Sequence, residues 1–180
     1  MEHNDFIRYY ERIVKKDLCR ELVNKELDYR ASTYATHMGS STRSEERVRM
    51  DEFWIRKEDL FYPRFMESFE KLIERYKEDF KDFKVQHTTD FRVNCYRRGG
   101  FMSRHVDNIH HSHGQQWGYP QVSALLFLND DYTGGTFRVA DNSYRPKMGS
   151  AIIFPSNFMY PHEVLPVKSG TRWSVVAWLM

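Results

Sequence analysis

Between Arg104 and Pro120 the chain reads RHVDNIHHSHGQQWGYP, which sets Asp107 among His105, His110, His111 and His113. Imidazole and carboxylate are side chains that ligate transition metals. If FMSRHVDN runs as a strand, side chains alternate with period two, and His105 and Asp107 project to the same face. An imidazole and a carboxylate then lie side by side. The triplet alone carries little weight, because a second one stands at His3-Asn4-Asp5.

A third ligand has to come from elsewhere. Outside the cluster and the N-terminus stand His37 in a small, polar stretch, His87 just after a helical segment, and His162 in FMYPHEVLPV between two strand-like runs. Two histidines and one carboxylate with open positions form the arrangement used by non-haem Fe(II) oxygenases. Downstream of His162, Arg172 and Ser174 lie in the apolar segment SGTRWSVVAWLM. A buried arginine is expensive without an anionic partner, and its fork suits a carboxylate. No acidic residue is near it in sequence, and alternation turns Arg172, Ser174, Val176 and Trp178 the same way. A metal with open positions and a carboxylate-binding arginine together suggest a 2-oxo acid bound end to end.

The surrounding elements must hold these groups. KDLCRELVNKELDYR places Leu18, Cys19, Leu22, Val23 and Leu27 at helical spacing. KEDLFYPRFMESFEKLIERYKEDFKDF does the same for Phe65, Phe69, Leu72, Ile73, Tyr76 and Phe80, with Pro63 in the first turn. FIRYY and VRMDEFWI read as short strands. After Phe83 the segments TDFRVNCY, QVSALLFLN, GTFRVA, GSAIIFP and RWSVVAWLM are rich in β-branched and aromatic residues and separated by turn formers. Strands at this spacing predict a sandwich or barrel with helices outside.

The 180 residues suit one domain, with residues 1–90 as mainly helical support and 91–180 as the β core. Basic and acidic residues number 27 and 25, so a nucleic-acid partner is not expected. MEHNDFIRYYERIV lacks a basic then apolar leader, and no run approaches the ~20 apolar residues of a membrane span. Cys19 and Cys95 form no metal-type pair or disulfide framework, so both are read as buried thiols in a reducing cytoplasm.

The motifs HVDN, PHEV and GTRWSVVAW, with CY at Cys95-Tyr96, LFLNDDYTGGTFRV and GSAIIFPS, resemble the 2-oxoglutarate- and Fe(II)-dependent oxygenases. The likeness is to their prolyl 4-hydroxylase-like branch and covers roughly residues 91–179. The resemblance implies an α+β fold, a double-stranded β-helix of jelly-roll or cupin-like type with supporting N-terminal helices. It implies His105, Asp107 and His162 as iron ligands, and Arg172 on the distal carboxylate of 2-oxoglutarate, assisted by Ser174. Tyr96 matches a tyrosine lining the cosubstrate pocket, and Trp178 an aromatic at the edge of the site. Phe127 departs from a tyrosine that often contacts the cosubstrate. Trp178 also stands where the nucleic-acid demethylase branch carries a second arginine. The implied reaction couples oxidative decarboxylation of 2-oxoglutarate by O2 to hydroxylation of an unactivated C–H bond, with ascorbate as an optional addition.

The preferred substrate is a prolyl residue of a protein or peptide. A free amino acid or other small molecule is the alternative, and a non-catalytic, cupin-like metal-binding domain is a third class. Trp117 and Tyr119 are candidates for gripping substrate or for packing. His110, His111 and His113 read as a loop at the mouth of the site, and the Gly134-Gly135 pair as a tight turn. Residues 31–47, ASTYATHMGSSTRSEER, read as a lid or a plain connector.

Overall fold

The computed structural model describes residues 2–35, 41–42, 46–108 and 118–180. The first part of the chain carries β1 (Arg8–Tyr10), α1 (Lys16–Val23), β2 (Arg30–Ala31), β3 (Tyr34–Ala35), β4 (Ser41–Thr42), β5 (Val48–Arg49), β6 (Asp51–Ile55) and α2 (Tyr62–Asp79). Then follow β7 (Phe91–Tyr96), β8 (Phe101–His105), β9 (Val122–Phe127), β10 (Thr133–Gly134), β11 (Phe137–Val139) and β12 (Asn142–Tyr144). The chain closes with β13 (Ala151–Pro155), β14 (His162–Val164), β15 (Val167–Ser169) and β16 (Arg172–Leu179).

Two antiparallel sheets face each other. The major sheet runs β1-β13-β9-β16-β7-β6-β2 and the minor sheet β12-β11-β14-β8-β5. Two further two-stranded ladders are β10-β15 and β3-β4. This is the expected α+β double-stranded β-helix. Alternation sorts the major sheet's side chains into two cores. Phe91, Val93, Ala124, Leu126, Ile153, Val175 and Ala177 point outward into a core shared with Leu18 and Leu22 of α1 and with Phe65, Phe69, Leu72, Ile73 and Tyr76 of α2. Leu125, Phe127, Ile152, Phe154, Val176 and Trp178 point inward, against Met102, Phe137, Val139 and Val164 of the minor sheet. Each fully buried large apolar side chain contributes about 1.5–3 kcal/mol.

Both helices form where periodicity places them, and Pro63 sits in the first turn of α2. α1 is shorter than its pattern. It closes at Asn24, whose N–H bonds the carbonyls of Arg20 and Leu22, and Leu27 packs on the outer core from beyond the helix. VRMDEFWI is not one strand: Val48–Arg49 pairs with β8 in the minor sheet, and Asp51–Ile55 with β7 in the major sheet. The buried Met50 lies at the crossover. Within 31–47, Ala31 extends the major sheet, and Tyr34–Ala35 pairs with Ser41–Thr42. Residues 36–40 and 43–45 of that segment, His37 among them, are outside the described residues, as are His110, His111, His113 and Trp117. Among the described residues no helix is long and apolar enough to cross a membrane.

Candidate metal centre and cosubstrate pocket

The minor sheet assembles a cluster from both ends of the β core. His105 is the last residue of β8 and His162 the first of β14, and the two are direct partners in the antiparallel ladder. Asp107 lies two residues beyond the strand, in a bend, so a turn rather than strand alternation brings it beside His105. One ligand atom from each of the three residues lies within 4.8 Å of the others. Asp107 Oδ1 is 3.5 Å from His105 Nε2, and Oδ2 is 3.4 Å from His162 Nε2.

Both rings are oriented from behind. His105 Nδ1 lies 2.8 Å from the Ser103 carbonyl and His162 Nδ1 3.3 Å from the Tyr160 carbonyl. A carbonyl only accepts, so Nδ1 carries the hydrogen and Nε2 keeps its lone pair toward Asp107. Burial, with the neighbouring His162, pushes the His105 pKa down to about 4, so the ring is neutral at pH 7. Burial works to raise the Asp107 carboxyl. His162, His105, Ser123 and the Trp178 indole outweigh it, and the pKa falls below the ordinary range. Two imidazoles and a carboxylate with ligand atoms gathered at one place suit a divalent ion of the iron type.

The major sheet supplies the opposite wall. Arg172 on β16 is completely buried, and its guanidinium lies 5.1 Å from the Tyr96 ring and 5.3 Å from the Phe127 ring. Nη1 donates to Ser174 Oγ at 3.3 Å, while Nε and Nη2 have no partner among the described residues. A buried cation with two donors unmet is poised for an anion with a flat pair of oxygens. That is the chemistry of a carboxylate. Gly135 belongs to this wall as well as to its turn. Its φ is +59°, and a Cβ there would stand 3.1 Å from Arg172 Cδ.

Trp178 is buried (2% exposed), and its indole acts on Asp107. Tyr119 is half exposed, in a bend ahead of β9. Sequence reasoning missed Ser123 and Ser156, both fully buried beside Asp107, and the group Glu52, Trp54, Arg92 and Asn94. The Arg92 guanidinium stacks 4.8 Å over the Trp178 ring, and its Nε donates to Asn94 Oδ1 at 2.9 Å. Trp54 Nε1 donates to Glu52 Oε1 at 3.2 Å. FRVNCY held the signal, since Arg92 and Asn94 alternate with apolar neighbours on the same face as Tyr96.

Known proteins share this fold. A PKHD-type hydroxylase of Crocosphaera subtropica is 35% identical over 100 residues, covering 52% of this chain and 44% of that relative. The chain thus matches less than half the length of this curated relative. A prolyl-4-hydroxylase of Pseudomonas putida superposes with a TM-score of 0.73 at 20% identity, covering 97% of this chain and 91% of the other. A Trichoplax adhaerens prolyl hydroxylase, in complex with a hypoxia inducible factor oxygen degradation domain peptide fragment, gives 0.71 at 18% identity, covering 98% and 84%. These two likenesses establish the fold. The model of the 2OG-Fe(II) oxygenase superfamily matches residues 91–180, the half that carries the cluster and the buried arginine, and the chain belongs to that superfamily.

Proposed function

We propose that the protein is a 2-oxoglutarate- and Fe(II)-dependent dioxygenase that hydroxylates an unactivated C–H bond, on a prolyl residue of a protein or peptide. The observation that carries the reading is Arg172, a buried cation with two unpartnered donors in the same interior as His105, Asp107 and His162. In this reading those three hold Fe(II), and Arg172 and Ser174 hold the distal carboxylate of 2-oxoglutarate. Fe(II) and 2-oxoglutarate, when bound, supply the O2-dependent chemistry that yields succinate and CO2 and hydroxylates the substrate. Tyr96 and Phe127 flank the Arg172 guanidinium and keep water from it. With Phe127 in place of a tyrosine, the cosubstrate lacks one hydroxyl contact. Ascorbate is an optional reductant.

The prolyl assignment draws on the names of the similar hydroxylases and on the peptide held by the Trichoplax protein. The polar wall of Glu52, Trp54, Arg92 and Asn94 beside Trp178 offers a stacking surface, donors and acceptors to an extended chain, and Trp117 and Tyr119 are further substrate contacts. The full 1–180 segment acts as one domain. Free, buried Cys19 and Cys95 suit a cytoplasmic setting.

The test is succinate formation when Fe(II) and 2-oxoglutarate are added under O2, with proline-rich peptides and free amino acids as parallel substrate panels. Iron-dependent succinate coupled to a hydroxyl gain on a prolyl peptide supports the reading. Coupling only to a free amino acid moves the substrate class. Activity unchanged in His105→Ala refutes the ligand set, and no iron-dependent succinate from any panel sinks the enzyme reading.

A further inference from the structure

A second arginine shares the inner face of the major sheet. Arg92 of β7 pairs with Val176 of β16 on one side and with Trp54 of β6 on the other, and Asn94 pairs with Glu52. The Arg92 side chain is 17% exposed and that of Glu52 21%. Stacking on Trp178 and a bond from Nε to Asn94 Oδ1 fix the guanidinium. Nη1 and Nη2 make no hydrogen bond among the described residues, and their ion-pair contact is the longer one from Nη1 to Glu52 Oε2, at 3.8 Å. Glu52 is itself held in place. Its Oε2 accepts from Ser32 Oγ at 2.8 Å and its Oε1 from Trp54 Nε1 at 3.2 Å.

These donors stand apart from Arg172. The Arg172 guanidinium lies over Tyr96 and Phe127, the ladder partners of Arg172 and Ser174. Trp178, under the Arg92 guanidinium, stands four residues beyond Ser174, roughly 13 Å along β16 at about 3.3 Å per residue. Trp178 borders Asp107 instead, as the ladder partner of Ser123, which donates to Asp107 Oδ2. Arg92 thus stands beside the candidate metal cluster, at the end of β16 away from Arg172. With the cosubstrate on the Arg172 side, this end is left to the substrate.

Terminal donors left unmet in a largely buried wall call for an acceptor. A carboxylate there would meet the like charge of Glu52 across the same guanidinium, and like charges side by side are costly. A neutral carbonyl meets no such penalty. A prolyl residue has no N–H, so it presents main-chain carbonyls, and the donors have to come from the protein. We infer that Arg92 is the substrate-side donor, bonding a main-chain carbonyl next to the hydroxylated prolyl residue, and that Glu52 offsets its charge so that a free carboxylate is turned away. The inference rests on the prolyl reading above, and it selects a residue embedded in a chain over a free amino acid.

The experiment loads the full chain with Mn(II) and 2-oxoglutarate in the absence of O2, so that nothing turns over. Two probes are titrated by calorimetry: N-acetyl-Gly-Pro-Gly-amide, whose acceptors are neutral carbonyls, and L-proline, whose acceptor is a carboxylate. Thermal melts check that each variant folds. Arg92→Met is expected to bind the blocked peptide about ten-fold more weakly, the worth of one hydrogen bond from a charged donor, with 2-oxoglutarate affinity within about two-fold of wild type. Glu52→Gln keeps the shape of the wall and serves alone if Arg92→Met fails to fold. It is expected to bind L-proline roughly five-fold more tightly, because the opposing charge is gone, and the blocked peptide within about two-fold. Folded variants that melt lower but keep both wild-type affinities would show a merely structural role and overturn the inference. Weaker L-proline binding by Glu52→Gln would overturn it too, marking Glu52 as the ammonium's partner in an amino-acid site. If the wild type takes up Mn(II) and 2-oxoglutarate but neither probe, the prolyl reading itself falls and this inference with it.

Discussion

His105 and His162 are direct cross-strand partners, with ring centroids 4.2 Å apart and each Nδ1 turned to a main-chain carbonyl two residues earlier. The ladder between β8 and β14 thus sets the separation of two candidate ligands that are remote in sequence. Both rings are aimed before any ion arrives, which spares the ion the cost of ordering them.

Arg172→Met should separate stability from cosubstrate binding. Replacing a buried cation that has two unmet donors by an apolar side chain of similar length leaves the melting temperature of the metal-free protein unchanged or higher. Charge-assisted bonds to a carboxylate are worth about 1.5–3 kcal/mol each, so 2-oxoglutarate affinity should fall by roughly 100-fold or more. Calorimetric titration in the presence of Mn(II), beside a thermal melt, checks both halves. A strongly destabilised variant with intact affinity would contradict the role assigned to Arg172.

Phe127→Tyr restores a hydroxyl in the aromatic pair around Arg172. Phe127 is fully buried, so the new hydroxyl either meets the cosubstrate or stays unpaired. The expected outcome is a 2-oxoglutarate dissociation constant lower by about five-fold, the worth of roughly one net hydrogen bond. A loss of stability by about 1–3 kcal/mol with no gain in affinity would show that the hydroxyl points elsewhere.

Gly135→Ala tests the wall behind the arginine. At φ +59° the new Cβ would lie 3.0 Å from Tyr132 Cε2 and 3.1 Å from both Arg172 Cδ and Val167 Cγ2. Backbone strain of about 1 kcal/mol or more should lower the melting temperature. Displacement of Arg172 should weaken 2-oxoglutarate binding several-fold while Mn(II) affinity stays within two-fold.

Acid should destabilise the metal-free protein through His105. Its folded pKa is depressed to about 4 from 6.5, so the unfolded chain takes up the proton first as pH falls. Stability on this account is full above about pH 6.5 and is lost progressively down to about pH 4, by up to ~3 kcal/mol. Urea unfolding at several pH values should show a shallower decline for His105→Asn across that window. Parallel curves for the two proteins would refute the assignment.

The cysteines should be silent in the folded state. Burial pushes both thiols up to about 11, with backbone bonds and nearby charges as smaller influences. Cys19 is 0% and Cys95 1% exposed, so neither should react with a thiol reagent at pH 8 until denaturant is added, when both should titrate. A fast-reacting thiol in the native protein would contradict the packing of α1 or β7.

Local periodicity was legible in the amino-acid order. The apolar stripe of α2, the alternation in FRVNCY and RWSVVAWLM, and the isolation of Arg172 in an apolar strand all follow from side-chain geometry within a few residues. The candidate set His105, Asp107, His162 and Arg172 came from residue types and from the resemblance of the motifs around them, not from alternation, since Asp107 lies past the end of β8. Tertiary structure decided what depends on register between distant segments. It split VRMDEFWI between two sheets, ended β8 before Asp107, and buried Trp178 behind the carboxylate. It also brought the unremarkable Ser123 onto Asp107 Oδ2 and Ser156 onto Ser123. Period two tells which face a side chain takes, but only the packed ladders of two sheets tell which residue stands across from it.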